Sequence, residues 1–340
     1  MRRPPNVLLS LNAQWNTFTS SIASRVYLQI KKVNKKHLGY LQSKLSRSDL
    51  ESYLDKGQTF KVEVFENCSQ DQRIGKNTLG KSVRLAVEER FNFKKLPKPF
   101  VELKDPDIIF VGFYDGNEFT LSVDLCGRSL HKRGFRKFNH FAPIKETLAA
   151  TLVKHVEDTE ALYDPFCGGG TIIIEAAYAA LNKAVSIHRK RHSFALEKMP
   201  LFKYDTWRKT QDALRQQRLA QPKFKLFASD ISDGDTEGAR ENALSAKVEK
   251  HIEIFQKDFF DSEKPTESGT ILTNLPYDER VKHNQEFYKK IGDHLKNNYK
   301  GWKAYLLMHG SAGSIGLKPS SKINFKNGSI PVKLCEYEIF

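Results

Sequence analysis

At 340 residues, 39% of them hydrophobic, the chain has the length of two domains and enough apolar content for packed cores, which excludes a disordered chain. Lys and Arg outnumber Asp and Glu 55 to 40, and the excess is uneven, with 25 basic and 14 acidic residues in 1–140 against 30 and 26 in 141–340, so a polyanion-binding N-terminal module joined to a different C-terminal part is expected. Charge interrupts every apolar stretch before the roughly 20 residues of a membrane span, and Met1-Arg2-Arg3-Pro4-Pro5 opens no secretory run, so neither a transmembrane helix nor a signal peptide is expected.

The N-terminal part reads as short mixed elements. Strands are predicted at 25–30 and 59–65, and a short helix at 48–54 opened by Ser48. Leu79, Val83, Val87 and Phe91 recur at helical spacing within 75–91. Strands at 108–114 and 118–125 flank Asp115-Gly116-Asn117, a hairpin turn by composition. A loop over 127–137 then carries five basic residues and Phe135. It is either a strip that holds phosphates and stacks a base, through Lys132, Arg133, Phe135, Arg136 and Lys137, or a solvated linker.

After Pro143, which suits a first helical turn, Ile144, Leu148 and Leu152 form one stripe. Strands and helices then alternate: strand 161–166, helix 171–183, strand 225–230, helix 233–246, strands 252–258 and 270–275, helix 284–298 and strand 304–309. Residues 184–224 read as an insertion. The end, 322–339, is a hairpin about Asn327-Gly328. Such alternation predicts an α/β, mostly parallel, doubly wound sheet with a C-terminal antiparallel hairpin, whose ligands bind beyond the carboxyl ends of its strands. Four cysteines 58, 41 and 168 residues apart, with no Cys-x-x-Cys pair, predict no metal site and no disulfide framework, in keeping with a cytosolic chain.

The strand ends carry the chemistry. The first ends in Asp164-Pro165-Phe166-Cys167-Gly168-Gly169-Gly170-Thr171. Its glycines let backbone approach a ligand, without the lysine of a phosphate-cradling loop. The second ends at Asp230, where a carboxylate can grip a ribose diol, and the third at Asp258, placed to accept from an adenine amine. The fourth ends in Asn274-Leu275-Pro276-Tyr277. An exocyclic nucleobase amine has its lone pair delocalised into the ring. An amide oxygen and a backbone carbonyl can accept its protons while an aromatic face holds the base flat. Following the glycine turn and the acidic strand ends, this tetrapeptide points to amino-group methylation.

At these residues the chain resembles class I S-adenosylmethionine-dependent methyltransferases. Asp164–Thr171 resembles their first motif, and Asn274-Leu275-Pro276-Tyr277 their (Asn/Asp)-Pro-Pro-(Tyr/Phe) motif. Leu275 departs in second place, and Asp278 stands where a glycine is usual. From Leu130-His131-Lys132-Arg133-Gly134 through Ala142–Ala149 to Glu175-Ala176-Ala177 the likeness is to the THUMP-domain RNA methyltransferases that modify guanine N2 in 23S rRNA. The resemblance implies a partial ferredoxin-like segment over 1–40, a THUMP RNA-binding domain over 41–127, a basic linker over 128–145 and a Rossmann-like methyltransferase domain over 146–340, without a second fused methyltransferase. It implies S-adenosylmethionine as cofactor. Asp164, Gly168 and Gly170 would surround its methionine and ribose side, Asp230 its ribose hydroxyls and Asp258 its adenine amine. Phe166, Thr171, Ile231 and Phe259 would lie beside them, and Lys145, Glu146 and Thr147 would line its approach. Asn274 and Tyr277 would position the guanine, with Pro276 stiffening the turn. The implied partner is large-subunit rRNA or an assembly intermediate of it, with no membrane and no obligate protein partner. Transfer to tRNA guanine, transfer to DNA adenine and a non-catalytic RNA-binding role are the alternatives. Intact Asp164, Asp230 and Asn274 weigh against the last.

Overall fold

The computed structural model describes residues 11–34, 37–138, 143–156, 158–187, 189, 193–276 and 284–340. The chain divides into two compact units, one of residues 1–19, 23–130 and 189–213, the other of residues 20–22, 131–188 and 214–340.

In chain order the first unit contains α1 (Leu11–Thr19), β1 (Tyr27–Asn34), α2 (Leu38–Ser46), β2 (Thr59–Glu66), α3 (Lys76–Phe93), β3 (Phe100–Val101), β4 (Ile108–Tyr114) and β5 (Glu118–Asp124). The strands form one sheet in the order β1-β5-β4-β2-β3. The helical stripe of α3 buries Leu79, Val83, Val87 and Phe91. The predicted helix at 48–54 is a single 3₁₀ turn, Leu50–Ser52, flanked by Asp49 and carrying Glu51, both of which pair with Arg90 of α3.

Two boundaries differ from expectation. β1 pairs along its length with β5, so residue 40 separates no unit. Residues 189–213, expected as an insertion in the second domain, belong to the first unit. There Trp207 packs at a tilt 4.0 Å from Phe18 and meets Phe194 edge-on, and Leu196 N–H donates to the Leu125 carbonyl. Burial of three large rings accounts for this excursion of the chain.

The second unit runs α4 (Glu146–Val153), β6 (Ala161–Asp164), α5 (Thr171–Ala180), α6 (Tyr204–Gln216, beginning within the first unit), β7 (Lys225–Asp230), α7 (Asp233–Ala246), β8 (Glu253–Gln256), β9 (Thr270–Asn274), α8 (Asn284–Asn298), β10 (Lys303–Met308), β11 (Ser321–Asn327) and β12 (Ile330–Glu338). Its sheet has the order β11-β12-β10-β9-β6-β7-β8. β10, β9, β6, β7 and β8 are mutually parallel, and the β11–β12 hairpin adds antiparallel to β10. Alternate strand residues feed two cores. Leu162, Ala228, Leu272 and Leu307 face α5 and α7, and Tyr163, Phe227, Ile271 and Leu306 face α8. From β6 the chain builds β7 and β8 to one side and β9 and β10 to the other, so the order reverses between β6 and β9. That reversal opens a crevice beyond the strand ends, and Asp164 and Asn274 are the last residues of those two strands.

Candidate active site at the strand ends

The turn after β6 needs its glycines. Gly168 and Gly170 have φ of 47° and 74°, left-handed values that cost other residues about 1 kcal/mol or more. A Cβ on Gly170 would also stand 3.1 Å from Ala239 Cβ of α7. Gly170 caps α5, whose N-terminus therefore opens into this turn.

Hydrogen bonds tie this turn to the end of β7. Asp230 accepts from Gly168 N–H at 2.9 Å and from Ser232 N–H at 3.1 Å, and Cys167 N–H donates to the Ser229 carbonyl at 3.0 Å. Asp230 is half-buried at the end of β7, beside the glycine turn. Asp164 is only 1% exposed and accepts from the Thr273 hydroxyl at 2.6 Å. Burial raises its carboxyl to about 7, opposed by the Thr273 and Phe166 hydrogen bonds and aided by nearby Asp230. Asp258 accepts from Phe260 N–H at 2.9 Å and caps the turn Phe259–Asp261, a structural duty that leaves acceptor capacity on the half-buried carboxylate.

Asn274 ends β9, held in register opposite Leu307 of β10. Its Oδ1 is buried and has no hydrogen-bond partner among the described residues. A buried amide oxygen without a partner carries a desolvation cost of about 1–3 kcal/mol, which a bound donor would remove. The next residue, Leu275, is fully buried and donates its N–H to the Leu307 carbonyl. The Pro276 carbonyl accepts from Tyr288 Oη at 3.4 Å. Tyr277 lies outside the described residues.

The remaining expected residues divide. Phe166 packs 5.2 Å from Phe259, whose ring is buried in the cluster containing His294 and Tyr299, so the Phe259 side chain serves the core. Ile231 is 65% exposed beside Asp230. Thr147 is buried in the first turn of α4, while Thr171 opens α5 and its hydroxyl accepts from Arg136 at 3.3 Å.

The basic loop requires correction. Arg133 is buried and pairs with buried Glu175 at 3.0 Å, also donating to the Ser21 carbonyl. Phe135 is buried against Tyr178. Arg136 is engaged by Glu146, Thr171 and the Ile144 carbonyl. Internal partners therefore occupy these three side chains, which were expected to touch RNA; Lys132 and Lys137 remain exposed.

One residue of the site escaped the sequence reading. Asn242 of α7, 1% exposed, accepts from Lys137 and Phe138 N–H and donates to the Phe138 and Gly169 carbonyls. It clamps the segment before α4 to the glycine turn. A signal existed, since Asn242 lies on the stripe of Ala239, Ala243 and Ala246, where a polar residue needs buried partners.

The site thus offers a glycine cradle, carboxylates at successive strand ends and an orphaned amide oxygen. That set fits an adenosine ligand with a cationic end, and no group of metal-ligating side chains occurs among the described residues. Comparison with known proteins agrees. Residues 133–331 match the family described as RMKL-like, methyltransferase domain. A Synechocystis protein provisionally named an RNA methyltransferase is 30% identical over 94% of this chain and 84% of its own length. The ribosomal RNA large subunit methyltransferase K/L of Psychromonas ingrahamii is 31% identical over 94% of this chain but 44% of its own length, so the chain spans less than half of that relative. Among solved structures, SMU.472, provisionally named a methyltransferase and complexed with SAH, superposes with a TM-score of 0.83 at 22% identity, covering 97% of this chain and 88% of that one; this likeness is one of fold.

Proposed function

The chain belongs to the RMKL-like methyltransferase domain family, and we propose that it methylates guanine N2 in large-subunit ribosomal RNA. The cofactor is S-adenosylmethionine, which supplies an electrophilic methyl group on a sulfonium. Asp230 would hold its ribose hydroxyls and Asp258 its adenine amine, while Asp164 and the Gly168–Gly170 backbone would take the amino-acid side.

The observation that carries the proposal is the buried Asn274 Oδ1, without a hydrogen-bond partner among the described residues, at the sheet's reversal point. It would accept one proton of the guanine amine, with a backbone carbonyl of Leu275 or Pro276 accepting the other. Held by both, the amine is fixed with its nitrogen lone pair toward the methyl donor. Tyr277 would pack on the base. Orientation supplies most of the rate, and no strong base is needed, because a nitrogen that gains a methyl group becomes acidic and loses its proton to solvent. Residues 23–130 would act as a THUMP-type RNA-binding module, consistent with the basic excess of the N-terminal part. An rRNA substrate would place the protein in the cytoplasm.

Tritiated methyl transfer to 23S rRNA, tRNA and duplex DNA tests the reading. Label in 23S rRNA, recovered as N2-methylguanosine, is expected. Label confined to tRNA guanine would move the substrate, and label in DNA adenine or in no nucleic acid would reject it.

A further inference from the structure

The C-terminal end of α3, the edge strand β3 and the residue stretch just after it carry exposed apolar side chains. Phe93 is 77% exposed, Phe100 68% and Leu103 66%, and neither phenylalanine makes a ring contact among the described residues. The same twelve residues, 93–104, contain four lysines and one acid. Lys94 and Lys98 lean to Glu51 and Glu88. Lys95, Lys104 and the exposed Arg84 make no ion pair among the described residues. Arg84 and Glu88 of α3 form one wall of a groove whose other wall is Pro97–Val101.

Exposed rings interleaved with free cations suit one class of partner above others. A protein strand added to the sheet edge needs a run of backbone donors. β3 is two residues long, and Pro97 and Pro99 remove donors just before it. A second copy of this chain would set one lysine cluster against another. A single nucleic-acid strand offers unpaired bases to the rings and phosphates to the cations, a combination that binds without reading sequence.

We infer that this groove, lined by Arg84 and Phe100, and the exposed residues that flank it in sequence bind a single-stranded RNA segment, with Phe93 and Phe100 stacking bases and Lys95, Lys104 and Arg84 holding phosphates. The inference rests on the proposed RNA substrate and adds where its unpaired strand is gripped. Because stacking on one aromatic side chain is worth about 1–3 kcal/mol per base, removing both rings should weaken binding by roughly tenfold or more.

The test titrates the full chain with a fluorescent twelve-nucleotide single-stranded RNA and with its duplex form across a salt series. Phe93→Ala/Phe100→Ala is expected to lose roughly tenfold or more in affinity for the single strand, with an unchanged salt slope. Lys95→Gln/Lys104→Gln is expected to flatten that slope. Circular dichroism of each variant should match wild type, since all four side chains are exposed. Wild-type affinity in both variants would overturn the inference. So would a wild-type self-association that the ring variant abolishes while RNA binding persists. Methyl transfer to 23S rRNA, assayed in parallel, separates the two readings. An active enzyme with ring-independent binding keeps the chemistry and loses this groove, whereas ring-dependent binding without methylation keeps the groove and loses the substrate.

Discussion

The Thr273 hydroxyl donates to the Asp164 carboxylate at 2.6 Å, bridging β9 and β6 at the point where the strand order reverses. This bond joins the glycine-turn end of the site to the residue preceding Asn274. It also opposes the burial that raises Asp164 to about 7.

A pH dependence follows. Unfolded Asp titrates near 3.8 and folded Asp164 near 7, so between those values the folded chain holds a proton that the unfolded chain has lost. The stability attributable to Asp164 is therefore full below about pH 4, declines to about pH 7 and then levels off. Thermal unfolding of wild type minus Asp164→Asn should show that decline. S-adenosylmethionine, cationic at its ammonium and sulfonium, favours the ionised carboxylate, so its affinity should rise through about pH 7. Thr273→Val should shift that rise upward. A cofactor affinity flat from pH 6 to 8 would remove Asp164 from the cationic end.

Asp230 serves both the turn and the proposed ribose site. Asp230→Ala should weaken cofactor binding by about 1–3 kcal/mol, read by calorimetry. An unchanged affinity would take Asp230 out of the cofactor site.

Arg133 tests the correction to the basic loop. Its side chain and that of Glu175 are 0% and 1% exposed. Removing one member of a buried pair typically costs about 3–5 kcal/mol. Arg133→Ala should therefore lose much of its stability to urea, and Arg133→Met/Glu175→Met should recover most of it. The salt slope of RNA binding should remain that of wild type in the double variant. A stable Arg133→Ala with weakened RNA binding would restore Arg133 to the RNA surface.

These cases show where the sequence is legible. α7 over 233–246 and α8 over 284–298 appear at their predicted bounds; Ser232 caps α7 by accepting Asp235 N–H. The alternation of β6 to β10 with helices predicts the parallel sheet; Asp164 and Asp230 end β6 and β7 as expected, while Asp258 stands two residues past β8 and caps the next turn. What escaped depends on distant partners. Charge in the 127–137 loop reads as exposure until Glu175, about forty residues on, is seen to bury Arg133. The excursion of 189–213 depends on Trp207 finding Phe18 and Phe194, which no local pattern records. Asn242 stands out only by its place on the apolar stripe of α7, and the loops it joins depend on distant chain.

The central claim is that Asn274 orients a guanine amine. Asn274→Ala should lower turnover by about a hundredfold or more, the scale of lost orientation, with cofactor affinity nearly unchanged. Tyr277→Phe should be mild because it keeps the ring, and Tyr277→Ala severe. The most direct measurement is nucleoside mass analysis of unmethylated 23S rRNA incubated with S-adenosylmethionine and either wild type or Asn274→Ala. N2-methylguanosine forming with wild type and nearly absent with Asn274→Ala is the predicted result. Equal N2-methylguanosine from both proteins, or a methyl group found on adenine instead, would contradict it.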